Sequence, residues 1–283
     1  MTTILSIQSS VAYGHVGNSA ATFPLMRLGV EVLPVYTVHF ANSTSYGPPR
    51  GPVLSPEDVA EVIHGIDDRG ALAEVDAVLT GYQGSSAMGA TIIDAVRLVR
   101  ERNPKAIYCA DPVMGDVGRG FFVAPGIPEF LRDQVVPVAD VLTPNQFELE
   151  FLTGRPVGTV DELLAAADAL REMGPGTVLV TSAVTSDLGP DMIGMAAVTA
   201  DEAWLVETPK LAPTFTGSGD ITAAVFLASL LQGSLQQALE RTAAVVYSVL
   251  KETADSGKRE LQLVAAQDQM VSPGVSFQAV RVR

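Results

Sequence analysis

Short apolar runs alternate with longer helical patterns along the whole of this chain. Strand-like runs occupy residues 4–7, 30–38, 77–79, 107–110, 141–142, 178–180, 193–198 and 203–206. Helix-like stretches lie at 17–28, 56–66, 90–102, 127–132, 160–173, 221–231 and 235–252. This alternation predicts an α/β fold with a mainly parallel central sheet and helices on both faces. Parallel neighbours need a crossover, and the crossover helix packs back onto the sheet. The run 30–38 holds one charge, Glu31, too few for a strand with a wet side. Two helix starts are explicit. Ser55-Pro56-Glu57-Asp58 places a cap before Pro at the first helical position, and Thr159-Val160-Asp161-Glu162 reads as a capping box. No internal repeat or low-complexity linker divides the chain, so residues 1–283 read as one domain with small flap loops. The densest Gly/Pro segment, 46–52, reads as a mobile loop beside a site.

The most informative motif is Thr216-Gly217-Ser218-Gly219-Asp220, followed by a charge-free apolar run. Unpaired N–H groups at a helix start attract anions, and glycines let a phosphate approach them. A carboxylate in that first turn can take a proton from an attacking hydroxyl. Ser and Asp are equally ordinary capping residues, so the pentapeptide alone also fits plain capping.

Ligands of open parallel sheets sit beyond the carboxyl ends of the strands. Polar residues follow the apolar runs at those exits: Gln8-Ser9-Ser10; His39, Asn42, Ser43 and Thr44; Gly81-Tyr82-Gln83-Gly84; Asp111 to Asp116; Thr143-Pro144-Asn145 with Glu148; and Thr181-Ser182. They are expected to converge on one rim with the 217–220 turn.

A net charge of −14 argues against nucleic acid and anionic membranes as partners. A nucleotide site here would rest on backbone N–H groups, a metal ion and a few local cations. No apolar run reaches the ~18 residues of a membrane span. Met1-Thr2-Thr3-Ile4-Leu5 runs into a strand pattern without a basic leader, so a cytoplasmic protein is expected. The single cysteine, Cys109, reads as a small core residue. His39 and His64 read as structural or solvated, and His15 either orders its loop or meets a ligand. No His/Cys cluster supports a zinc site.

The segments Ile7-Gln8-Ser9-Ser10-Val11-Ala12-Tyr13-Gly14-His15-Val16-Gly17-Asn18, Thr44-Ser45-Tyr46-Gly47, Gly81-Tyr82-Gln83-Gly84, Asp111-Pro112-Val113-Met114-Gly115 and Thr143-Pro144-Asn145 occur in order. With Asn145-Gln146-Phe147-Glu148, Gly217-Ser218-Gly219-Asp220 and the stretch from Glu260 to Asp268, they resemble bacterial pyridoxal kinases of the ribokinase superfamily. The resemblance spans nearly the whole chain. It implies phosphorylation of the 5′-hydroxymethyl group of pyridoxal, and of pyridoxine and pyridoxamine, by ATP. It also implies Mg²⁺, in many relatives a monovalent cation such as K⁺, and a homodimer.

By this resemblance Asp220 is the base, and Gly217, Ser218 and Gly219 offer N–H groups to the phosphoryl oxygens. Ser9, Thr44, Ser45 and Tyr82 hold the substrate ring. Asp111, Thr143, Glu148 and Thr181 line the ATP phosphates, while Thr208, Pro209, Lys210 and Leu211 contact the nucleotide. Asp111 and Glu148 imply Mg²⁺ held largely through water, with Asp116 in the same shell. An unperturbed carboxylate pKa of ~4 makes Asp220 a weak base. Gly219 is expected to need left-handed backbone freedom. Arg119 reaches the phosphate on closure or is a mobile surface residue. Relatives with Lys at the position of Thr181, and a short connection from Lys210 to Gly217, mark departures. Hydroxymethylpyrimidine kinase is the runner-up activity, a low-turnover pyridoxal reservoir is the non-enzymatic alternative, and a sugar kinase would carry more Asp and Asn in the early loops.

Overall fold

The computed structural model describes residues 1–212 and 214–283; Pro213, within the 210–217 connection, lies outside them. The strands are β1 (Thr3–Val11), β2 (Glu31–Phe40), β3 (Ala77–Thr80), β4 (Ile107–Ala110), β5 (Gly115–Asp116), β6 (Gly120–Phe121), β7 (Val141–Leu142), β8 (Thr177–Ala183), β9 (Met192–Val198), β10 (Ala203–Pro209) and β11 (Val280–Arg281). The helices are α1 (Asn18–Arg27), α2 (Pro56–Asp67), α3 (Ser86–Arg102), α4 (Ile127–Phe130), α5 (Gln146–Thr153), α6 (Val160–Glu172), α7 (Ser218–Leu230), α8 (Leu235–Ser256) and α9 (Gln267–Val271).

Nine strands form one sheet in the order β11-β10-β9-β8-β7-β4-β3-β1-β2. From β2 to β8 the neighbours are parallel, and from β8 to β11 antiparallel. The mainly parallel sheet expected from the alternation is therefore present, with an antiparallel extension where β9 and β10 follow one another without a helix. β5 and β6 form a separate two-stranded flap.

Alternate side chains leave each strand on opposite faces. Leu5, Val78, Tyr108 and Val178 pack with α2, α3, α5 and α6, while Ile4, Leu79, Cys109 and Leu179 pack with α1, α7 and α8. Cys109 is fully buried and free, and burial pushes its thiol far up, as suits a core residue. The caps at Ser55 and Thr159 form as read, the first accepting from the Asp58 N–H and the second as a reciprocal box with Glu162. α5 has no counterpart among the helix-like stretches of the sequence, since its eight residues are too few for a clear period. Residues 50–53 return along β2 through His39 N–H to Pro52 O and Ala41 N–H to Arg50 O, so the Gly/Pro segment is hydrogen-bonded to the sheet margin.

Chain order reverses beside β1: β2 lies on one side of it and β3 on the other. This leaves a crevice at the carboxyl ends of β1 and β3. α7 points its first turn towards that end and is buried on every side from Ile221 to Ser229, held between α1 and α8. Among the described residues no helix is long and apolar enough to cross a membrane. Phe226 in α7 is fully buried, so Phe226→Ala is expected to cost about 3–5 kcal/mol. Urea unfolding followed by circular dichroism checks this; a midpoint equal to that of the parent protein would show that α7 is not held by its core face.

Candidate active site

The carboxyl ends of the parallel strands open into one cleft. Ser9, Thr44, Ser45, Tyr82, Asp111, Thr143, Glu148, Thr181 and residues 217–220 all line it. The rim predicted from the strand exits is therefore real at these positions. Thr208, Pro209, Lys210 and Leu211 are not among the lining residues. Lys210 is exposed and donates its N–H to the Asp191 carbonyl, and Leu211 packs against the apolar cluster beneath α7.

At the start of α7, Gly217 is the N-cap with φ +91°, and a Cβ there would collide with the His15 carbonyl. No side chain caps this helix start. A side-chain cap by Ser218 or Asp220 is therefore not what the motif supplies; the Ser218 N–H donates to the Phe215 carbonyl at 3.3 Å, and residues 217–220 line the cleft. Left-handed freedom belongs to Gly217 and not, as expected from sequence, to Gly219. Gly219 lies within the helix, and a Cβ on it would meet only Asp111 Oδ2 at an ordinary 3.8 Å. Asp220 is half-buried at the cleft wall. The surrounding protein pushes its carboxyl up to about 6, against N–H groups of Gly17 and of Asp220 itself that hold it down. It is a better base than an unperturbed carboxylate.

Asp111 and Glu148 are buried. The Thr143 hydroxyl donates to Asp111 Oδ1 at 3.2 Å. Burial, then the charges of Glu148 and Asp220, push Asp111 well above the usual carboxylate range. Glu148 closes a capping box on α5: Asn145 N–H donates to Oε2 at 2.9 Å, and Glu148 N–H donates to Asn145 Oδ1 at 2.9 Å. Its Oε1 accepts from Met114 N–H at 2.9 Å. Burial still raises Glu148 to about 8 despite these donors. Among the described lining residues the acidic side chains are Asp111, Asp116, Glu148 and Asp220, and the single cationic one is Arg119. No group of three or more His, Cys, Asp or Glu among the described residues could hold a metal unaided. Clustered carboxylates with raised proton affinity fit a cation completed by phosphate oxygens and water.

A model of the phosphomethylpyrimidine kinase family matches residues 57–264. The pyridoxal kinase PdxY of Rubrobacter xylanophilus is 58% identical over 281 residues, covering 99% of this chain and 97% of that protein. The PdxY of Leifsonia xyli subsp. xyli is 54% identical over 280 residues, covering 99% of each. The chain belongs to the pyridoxal kinase family. The pyridoxal kinase of Leishmania donovani, solved in complex with ADP and ginkgotoxin, superposes with a TM-score of 0.94 at 28% identity over 100% of both chains. The ribokinase-like α/β architecture read from the sequence is the one these kinases share.

Three lining residues of this pyridoxal kinase fold were read from sequence only as part of the rim, without a role of their own. Ser43 is buried and shares a 2.7 Å hydroxyl contact with Ser45. Asn145 joins two cleft segments by donating to the Gly115 carbonyl at 2.8 Å. Ser182 sits at a β-bulge with φ +53°, beside Thr181. A non-glycine residue in that conformation leaves no periodic trace. His15 does not line the cleft. Its Nδ1–H donates to the Ser19 carbonyl at 3.1 Å, which favours the loop-ordering role.

The two glycines of the motif should respond differently. Gly217→Ala is expected to lose at least about 1 kcal/mol of stability from positive φ alone, with further loss from the His15 contact. Gly219→Ala is expected to unfold near the parent midpoint. Thermal and urea unfolding check both, and equal midpoints for the pair would contradict the placement of the strained residue.

Proposed function

We propose that this protein transfers the γ-phosphoryl group of ATP to the 5′-hydroxymethyl oxygen of pyridoxal, giving pyridoxal 5′-phosphate and ADP in vitamin B6 salvage. The protein is a phosphotransferase, and ATP is its co-substrate. The observation that carries the chemistry is the uncapped start of α7, with Asp220 in its first turn opposite the crevice between β1 and β3. The L. donovani kinase is described with ADP and pyridoxamine, and with ADP and pyridoxine. These complexes support both vitamers as further acceptors here. The phosphomethylpyrimidine kinase model matches residues 57–264, whereas the pyridoxal kinase relatives align over 99% of this chain, and this supports pyridoxal over the runner-up acceptor.

In this reading Ser9, Thr44 and Ser45 hydrogen-bond the pyridine ring and its substituents, and half-buried Tyr82 packs against it. The 5′ hydroxyl then points at the first turn of α7. Its oxygen forms a bond to the γ-phosphorus as the bond to the β,γ-bridging oxygen breaks. The proton passes to the Asp220 carboxylate, and ADP leaves. Proton transfer is late, because even a carboxylate of pKa about 6 is a weak base toward an alcohol. The N–H groups of Gly217, Ser218 and Gly219 take up charge on the equatorial oxygens, that of Ser218 by sharing or leaving its 3.3 Å bond to the Phe215 carbonyl.

Asp111 and neighbouring Glu148 would hold Mg²⁺ with intervening water, and Thr143 and Thr181 would line the phosphates, Thr143 also donating to Asp111. Mg²⁺, when bound, neutralises charge between the carboxylates and the triphosphate. Thr208 to Leu211 would reach the nucleotide at its adenine end, outside the cleft proper. A cytoplasmic homodimer accords with the family. The exposed Tyr36 on terminal strand β2 offers a surface for a second copy.

A coupled ADP-release assay with pyridoxal, pyridoxine, pyridoxamine and hydroxymethylpyrimidine, with product masses, tests the reading. Pyridoxal-dependent ADP and a phosphorylated product are expected, and EDTA should abolish both. Saturable pyridoxal binding without turnover would replace the kinase with a reservoir. Asp220→Asn is expected to lower kcat by at least ~10²-fold with pyridoxal affinity little changed. Because the base must be ionised, kcat/KM should rise with pH through about 6. A flat profile from pH 5 to 8 would remove Asp220 from that role.

A further inference from the structure

Two loops wall the substrate end of the cleft, and neighbouring side chains from near the end of the chain touch both. Glu260 lies beyond α8. Its Oε2 accepts from the His15 N–H at 3.1 Å, and its Oε1 accepts from the Tyr46 hydroxyl at 2.6 Å. Arg259 Nη2 donates to the Ser45 carbonyl at 2.6 Å and to the Ser45 hydroxyl at 3.1 Å. Its guanidinium lies 3.7 Å from the centre of the Tyr46 ring. The Tyr13 and Tyr46 rings meet edge-on at 6.0 Å, so the loops also touch each other there. Gly14 has φ +89°, and any side chain on it would run into the Glu260 carboxylate.

The strap has a firm base. Leu261 and Leu263, next in the chain, are buried with Ile221 and Val225 of α7. The loop it holds also reaches the reacting end. The His15 carbonyl abuts Gly217, Val16 lines the cleft, and the Gly17 N–H faces the Asp220 carboxylate. The second loop supplies Ser43, Thr44 and Ser45 to the substrate wall. Charge-assisted bonds at partly exposed sites add little to global stability. Their consequence here is geometric, since they tie two catalytic-cleft loops to the helix that carries the base.

We infer that Arg259 and Glu260 are positioning residues, and that Glu260 couples the seating of pyridoxal under residues 43–46 to the orientation of Asp220 through the 13–17 loop. This rests on the kinase reading above. Arg259 fixes the substrate loop alone, whereas Glu260 acts on both loops. Misplacing a reacting group by about an ångström can cost ~10²-fold in rate, so a strap of this kind registers in turnover more than in folding.

The test compares Glu260→Ala, Glu260→Gln, Arg259→Ala and Tyr46→Phe with the parent enzyme. Steady-state kinetics, thermal midpoints, and hydrogen exchange of peptides covering 13–17 and 43–47 in the ligand-free protein are measured. Glu260→Ala is expected to raise KM for pyridoxal and lower kcat, each about 10-fold, with KM for ATP within about 2-fold. Exchange should quicken in both loops. Glu260→Gln should recover part of kcat. Arg259→Ala and Tyr46→Phe should raise KM for pyridoxal with kcat nearly intact, and their exchange should quicken at 43–47 only. Adding Tyr46→Phe to Glu260→Ala should bring no further rise in KM, because the partner is already gone. Unchanged exchange and kinetics in Glu260→Ala would overturn the inference while leaving the kinase reading intact. A lowered midpoint with proportionate loss of active protein and unchanged KM would overturn it too. Absence of pyridoxal-dependent ADP release by the parent protein would instead fail the kinase reading, and the exchange data would still decide whether the strap holds the loops.

Discussion

Helix α7 carries no charged side chain after Asp220 and is buried on every side from Ile221 to Ser229. Such a helix has no solvent-facing stripe, so it lies against the sheet between other helices. Its start then falls at the carboxyl rim of the parallel strands. There the helix start has no side-chain cap, and the Ser218 N–H turns back to the Phe215 carbonyl at 3.3 Å. The site is built around this helix start without a side-chain cap. Gly217 makes the entry possible, because its backbone takes φ +91° against the His15 carbonyl and no side chain fits that space.

Charge sets the second constraint. A chain of net charge −14 whose cleft holds four acidic side chains and one arginine repels a triphosphate at long range. Burial raises the proton affinities of Asp111 and Glu148, with the charges of Glu148 and Asp220 adding to the rise at Asp111 and that of Asp116 at Glu148. That arrangement is costly in an empty cleft and useful once a cation and a nucleotide enter. Glu148 also has a structural duty: its two oxygens take N–H groups from both sides of the cleft and complete the cap of α5. One carboxylate thus joins the Asp111–Asp116 segment to the helix after β7.

The substrate half depends on loops and not on strands. Residues 13–17 and 43–46 have little regular structure of their own, and they hold their shape through partners distant in sequence. Arg259, Glu260 and the margin of β2 supply those partners. The Gly17 N–H at Asp220 shows how the two halves meet, with a substrate loop lowering the proton affinity of the base.

The sequence by itself determined the class of fold, the layers and most of the chemistry. Strand–helix alternation, the charge-free run after Asp220 and the polar residues at each strand exit are local patterns, and local patterns survive without coordinates. Ser9, Thr44, Tyr82, Asp111, Thr143, Glu148 and Thr181 were legible as rim residues because strand ends in a parallel sheet share one rim, and Ser45 through the family resemblance. The antiparallel extension, the reversal beside β1 and the helix α5 were not, since strand pairing and very short helices leave weak periodic signals. Tertiary structure alone decided which glycine bears the strained backbone, that Glu148 also takes the Met114 N–H from 34 residues away, and that Ser182 lies at a bulge. It alone brought Glu260 to His15 and Tyr46, across separations of 245 and 214 residues. The physical reason is the same in each case: these features depend on atoms far apart in the chain meeting within hydrogen-bonding or van der Waals distance, and spacing along the sequence carries no record of that.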